Sequence, residues 1–344
     1  MTTTNMFKYL IKVKPLGLMY GSSGGFLSPE NLVGRSRTKF PPDAATLSGL
    51  ILSAKCYFNQ KKDTSANEEF KKNLYVAGPF WVEEGFPKTL YIPMPWTKII
   101  GEEKKDRDEW IIKDNKWYRN KDKREENQEI KPYYNWLKIN DWNRSVKNIV
   151  VNKSMAKNPW EFVPMLHPKM KDDERHGIEE NGLFLENAVQ MPEDVSLIYL
   201  STYSLETGWY KFGGENHIVE INSIEISKED SIIKLLNQPI EKSFALITSA
   251  VWGSNRLSFR APQNLDFPKI KLMLTDKAIP YRYLTKGHLS RGRYAVPAGS
   301  VYVLEEPLDK SWWEWPEEWF PKEGISLKKV GSGLCLPLDI EGVV

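Results

Sequence analysis

A chain of 344 residues is long enough for two domains of ordinary size, each with its own core. Hydrophobic residues make up 41% and charged residues 27%, which excludes disorder of the chain as a whole. Lys and Arg number 48 against 45 Asp and Glu, so the formal charge is only +3 and any polyanion site must come from how charge is distributed. Cys56 and Cys335 form no CxxC pair, which excludes a disulfide framework and a cysteine-based zinc site and points to a reducing, cytoplasmic setting. The polar start and the interruption of the first apolar stretch by Lys8, Lys12 and Lys14 predict no secretory leader. No apolar run reaches membrane-spanning length, so a soluble protein is expected.

In chain order, Phe7, Tyr9, Ile11 and Val13 alternate with Lys8, Leu10, Lys12 and Lys14, the two-residue period of a strand with one buried and one mostly basic face. Pro41, Pro42 and Asp43 then precede Leu47, Leu50, Ile51, Ala54, Tyr57 and Phe58 at helical spacing, which predicts a first helix. The connection between them, about 27 residues, far exceeds a usual loop and holds Gly21, Gly24, Gly25, Arg35 and Arg37.

Short apolar runs at 74–80 and 89–92 lead into a charged stretch from Lys98 to Lys131. Within it, Trp110, Ile111 and Ile112, then Trp117 and Tyr118, flank Asp114 and Asn115, which predicts a hairpin in a protruding arm that docks on protein or RNA. Further strands are expected at 195–205, 218–226, 244–252, 270–274 and 294–304, with a short helix at 228–236 and an amphipathic helix at 312–320. The pattern predicts an α+β chain of two mixed units, 1–165 with an inserted arm at about 98–131, and 166–344.

Charge is strongly patterned along this chain. Arg35, Arg37 and Lys39 extend an N-terminal segment that has no acid before Glu30. A second block, Lys277 to Leu304, carries Lys277, Arg282, Lys286, Arg291 and Arg293 without any Asp or Glu. In that block Gly287 and Gly292 leave room for a phosphate backbone, His288 adds a further contact, and Tyr281, Tyr283 and Tyr294 offer rings for stacking. Gly213 with Gly214, and Gly331 with Gly333, permit close approach of main-chain N–H groups to phosphate, or else mark ordinary tight turns.

Several runs, in order, resemble the CRISPR-associated RAMP proteins, most closely the third subunit of the type III-B (Cmr) interference complex. These are Lys14, Pro15 and Leu16; Phe40, Pro41 and Pro42 before Thr46, Leu47, Ser48 and Gly49; Gly78, Pro79 and Phe80 before Leu90 to Pro95; and His176, Gly177 and Ile178 before Gly182, Leu183 and Phe184. Phe212, Gly213, Gly214 and Glu215, the run Ala295 to Val301, and Gly331, Ser332, Gly333 and Leu334 complete the set. The resemblance implies two ferredoxin-like, RRM-related domains that need no cofactor and hold the repeat-derived 5′ tag of a guide RNA (crRNA). It also implies contacts with a large polymerase-like subunit and a backbone RAMP subunit, and with target RNA through the complex. Where many relatives carry an Arg after the glycine pair, this chain has Asn216 and His217.

The RNA-binding candidates are therefore Arg35, Arg37, Lys39, Gly213, Gly214, Asn216, His217, Lys286, His288, Arg291, Arg293, Gly331 and Gly333. A scaffold without a catalytic site is expected. Two other classes remain open: a metal-independent ribonuclease drawing on His167, His176, His217 or His288, and a protein-only interaction subunit anchored by Trp312, Trp313, Trp315 and Trp319.

Overall fold

A computed structural model describes residues 7–20, 39–58, 64–120, 130–168, 183–254, 257–285 and 288–343. Strands dominate and helices are few: Ala44–Phe58, Thr64–Asn73, Val146–Val151 and Ser231–Leu236. The first strand, Tyr9–Pro15, lies inside an eight-stranded antiparallel sheet, with His217–Glu225 on one side and Val195–Ser201 on the other. Val76–Glu83 follows Val195–Ser201, then the short strands Tyr91–Pro93, Trp136–Lys138 and Met155–Ala156; Gly208–Phe212 forms the opposite edge.

Four of these strands and the first helix carry the topology. In chain order they are Tyr9–Pro15, the helix Ala44–Phe58, Val76–Glu83, Val195–Ser201 and His217–Glu225, and in space the strands lie fourth, first, third, second. The second sheet repeats that order. Its strands Ser243–Leu246, Ile270–Leu274, Val301–Leu304 and Cys335–Pro337 are also arranged fourth, first, third, second, all antiparallel. Because the first sheet draws strands from both sides of the expected 165/166 division, that boundary does not separate the sheets. The change from one sheet to the other falls between Glu225 and Ser243.

Both faces of the first sheet are used. Ile11, Val13, Leu197, Tyr199, Val219 and Ile221 bury against Leu47, Leu50 and Ile51 of the helix. The alternate residues Leu10, Phe80, Ile198 and Leu200 join a continuous core with Phe244, Leu246, Tyr302 and Trp312 of the second unit. The expected basic face of the first strand thus exists only towards its end, where Lys12 and Lys14 converge on Glu84 at 2.7 and 3.8 Å.

The expected helix at 312–320 is replaced by two 3-10 turns, Trp312–Glu314 and Glu317–Trp319, with Pro316 between them. Proline lacks an N–H and cannot continue a helical ladder there. Trp312, Trp315 and Trp319 are only 1%, 1% and 2% exposed and pack against Phe244, Trp252, Phe267 and Phe320, so these three rings are core rather than partner anchors. Lys328 is buried among them, its Nζ donating to the carbonyls of Trp313 and Trp315 at 2.7 and 2.5 Å.

Burial pulls the Lys328 pKa from 10.5 down to about 8. Between those values the unfolded chain binds the proton that the folded chain has released, so stability rises with pH across that window. The displacement corresponds to on the order of 3 kcal/mol. Above about pH 9 the effect meets opposing ones, because burial raises the Cys335 thiol and, from about pH 10, the hydroxyls of Tyr75, Tyr91 and Tyr302. Urea unfolding between pH 8 and 10 should show a midpoint that gains on that of Lys328→Met as pH rises, the difference between the two isolating the lysine from the opposing Cys335 thiol.

The charged arm is a three-stranded element, Lys98–Ile100, Arg107–Lys113 and Lys116–Arg119, turned at Asp114 and Asn115 with φ of 50° and 58°. Those values suit the two-residue hairpin turn that the sequence suggested. Its inner side does not protrude: Ile111 and Ile112 are buried, Trp117 packs on the main core, and the Ile112 N–H donates to the Glu341 carbonyl at 2.9 Å. Lys98 pairs with Glu109 at 2.9 Å and Arg119 with Asp108 at 2.8 Å, both largely shielded.

Candidate nucleic-acid interface

Gly208–Phe212 and His217–Glu225 form a hairpin at the sheet edge, closed by Gly213, Gly214, Glu215 and Asn216. The Asn216 N–H donates to the Gly213 carbonyl at 3.3 Å, and Gly213 and Asn216 have φ of 78° and 55°. Such left-handed backbone favours glycine and asparagine, which accounts for both residue types here. Beyond the chain neighbours, nothing lies within 4 Å of where a Cβ would stand on Gly213 or Gly214, so the turn is open on that side.

His217 is not an isolated base at this turn. Its Nε2 is 2.9 Å from the Tyr20 nitrogen and 3.0 Å from the Tyr20 carbonyl oxygen, and the two rings stack with centroids 5.8 Å apart. Tyr20 also meets His167 edge-on at 5.8 Å, and His167 faces Glu186 at 3.7 Å. This links the turn to a side ribbon made of Glu161–Pro168, Leu183–Gln190 and Met19–Tyr20. His176 lies outside the described residues.

A second group of candidates borders a cleft of about 250 Å³ between the first helix and the second unit. Lys39, Pro41, Tyr281, Ser249 and Gly331 line it, with Trp136 among its apolar walls. Lys39 pairs with Asp43 and lies 5.2 Å from the Tyr281 ring centroid. Burial, reinforced by the Asp43 charge, pushes the Tyr281 hydroxyl well above its ordinary pKa. Tyr20 and Lys39, the two described ends of the long loop, therefore lie at the two candidate sites. Arg35 and Arg37 fall outside the described residues.

The block at 277–304 divides. Arg293 is 4% exposed, donates from Nη1 to the Ser254 carbonyl at 2.6 Å and has its Nε 3.6 Å from Glu323. That burial removes it from the reach of a polyanion and gives it a structural role. Arg291 is exposed, and its main-chain N–H donates to Glu323 at 2.8 Å. Tyr281 is buried, Tyr283 donates to the Glu323 carbonyl at 3.2 Å, and Tyr294 is exposed. Lys286 lies outside the described residues, while His288 occupies a short strand paired with Leu284–Thr285.

Gly331 and Gly333 are packing positions rather than a phosphate cradle. Both have positive φ, 72° and 68°, and both are buried. A Cβ would come 2.6 Å from the Ala77 Cα at Gly331 and 2.5 Å from the Trp252 ring at Gly333. Sequence reading missed Trp209. Its signal was parity: Phe212 is buried, so Trp209 and Lys211 must point to the outer face of the hairpin.

No family model matches the chain, and no curated protein matches it. Solved structures do. A chain in the cryo-EM structure of the type III-B Cmr-beta bound to cognate target RNA is 12% identical, with a TM-score of 0.48 and 86% of each chain covered. A chain in the crystal structure of the Csm3-Csm4 subcomplex in the type III-A CRISPR-Cas interference complex is 11% identical, with a TM-score of 0.45, covering 96% of this chain and 99% of that one. A chain in the Csm1-Csm4 cassette in complex with AMPPNP is 12% identical at a TM-score of 0.36. The chain is thus similar to components of type III CRISPR-Cas complexes, the class that its ordered motifs resemble.

Proposed function

We propose that this protein is a non-catalytic RNA-binding scaffold of a type III-B CRISPR effector complex. It holds the repeat-derived 5′ tag of the guide RNA and bridges the large polymerase-like subunit to the backbone RAMP subunit. The observation that carries this reading is the open glycine turn at 213–216, a main-chain surface that a phosphate can approach. Support comes also from the twofold use of one strand order, the order of the β-α-β-β-α-β unit. On this reading both sheets are ferredoxin-like, the hairpin strand Gly208–Phe212 standing where the first unit's second helix would be.

The test is binding and cleavage of end-labelled repeat RNA by the full chain, with and without magnesium. Retention of intact RNA is expected. Cleavage that disappears in His288→Ala would instead establish the ribonuclease. Gly214→Val should weaken RNA binding by about tenfold or more, the worth of one charge-assisted hydrogen bond. Its backbone has no positive φ and its surroundings are open, so the variant should fold normally. Unchanged affinity would make the turn dispensable.

A further inference from the structure

Trp209 is 75% exposed on the outer face of the edge hairpin, although the chain buries most of its tryptophans. The register sets Trp209 directly opposite Glu220, and Glu220 directly opposite Lys14, so the three form one row across adjacent strands. Neighbouring strands are about 4.8 Å apart, which makes the row about 10 Å long, close to the width of a nucleoside. The next row is Lys211, Ile218 and Leu16, where Ile218 and Leu16 are 45% and 48% exposed and border the ring with apolar surface.

Lys12, Lys14 and Lys211 stand against Glu84 and Glu220 on this face, a slight cationic excess. Lys12 and Lys14 share the single carboxylate of Glu84, and exposed Lys211 adds a third cation. Partial burial pushes the Glu84 pKa upward, but hydrogen bonds from Lys12 and Ser196 and the charges of Lys12 and Lys14 outweigh it and hold the carboxyl below its ordinary value. The ionised group anchors the lysines. Two residues beyond Lys211 the same hairpin enters the glycine turn, so one strand presents a flat ring and an open main chain in sequence.

We propose that Trp209, Glu220 and Lys14 form a platform for one unpaired base of single-stranded RNA, with a preference for guanine. This rests on the RNA-binding reading above and adds a base-reading element to it. The indole supplies a sequence-tolerant stacking surface. Glu220, an acceptor with two oxygens, lies where the edge of a stacked base would fall. Guanine alone offers two adjacent donors, N1–H and N2–H, to a carboxylate; uracil offers one, and adenine and cytosine set an acceptor beside theirs. Lys14 and Lys211 flank the site for the neighbouring phosphates.

The test is fluorescence anisotropy of the full chain with labelled oligouridine and with oligouridine carrying a single guanosine. The guanosine should tighten binding in the wild type. Trp209→Ala should weaken binding to both RNAs by about five- to 150-fold, the fold-change of one lost stack, while Trp209→Phe keeps most of it. Glu220→Gln should erase the guanosine preference and leave oligouridine affinity within about threefold, as expected where only an edge contact is changed. Wild-type binding that Trp209→Ala leaves unchanged overturns the platform alone. A preference retained in Glu220→Gln overturns the base reading, and a wild type that binds neither RNA overturns the RNA-binding function itself.

Discussion

Trp315→Ala is expected to cost about 3–5 kcal/mol in urea unfolding, the range for truncating a large ring in a close-packed core. The ring is 1% exposed and meets Phe244, Phe267, Trp252, Trp319 and Phe320 within 5.6 to 6.3 Å between centroids. No water-filled surface can relax into the space it leaves, so its dispersion contacts are lost outright. A partner anchor would behave in the opposite way, leaving the isolated chain's stability near wild type and weakening only assembly. A loss below about 1 kcal/mol, the scale of surface changes, would reassign the tryptophan run to an interface.

Gly331→Ala should destabilise the chain by about 2 kcal/mol or more, whereas Gly214→Ala should leave stability within about 0.5 kcal/mol. The two glycines differ in surroundings. At Gly331 the added methyl meets the Ala77 Cα and the Val76 carbonyl at 2.6 and 2.9 Å, on a backbone with φ of 72°. Those contacts join the C-terminal turn to a central strand of the first sheet, so relieving the clash moves one unit against the other. At Gly214 the methyl would enter open space. Parallel thermal melts of the two variants check this directly. Equal stability would contradict the assignment of Gly331 to packing and return it to the list of phosphate contacts.

Local signals were legible in the sequence, and tertiary ones were not. The alternation at 7–14 located the first strand, the Pro-Pro-Asp start located the first helix, and Asp114-Asn115 located the arm's turn. The block around Arg293 contains no acid, and the carboxylate that the fold sets beside it comes from Glu323, thirty residues further along, a contact that local charge counting does not register. The 312–320 helix was expected from apolar spacing alone, and Pro316 decided otherwise. The first sheet takes strands from both sides of 165/166, because the order fourth, first, third, second brings its last strands back beside the first, a pairing that composition along the chain does not register. Strand parity would have exposed Trp209, since buried Phe212 and Val219 fix which side of the hairpin faces out.

The most direct test of the scaffold account is to purify the tagged protein from its native host and sequence the RNA that comes with it. The account predicts short RNAs that share one repeat-derived 5′ end, enriched over a Gly214→Val control. RNA with no common 5′ end, or no RNA above background, would contradict it.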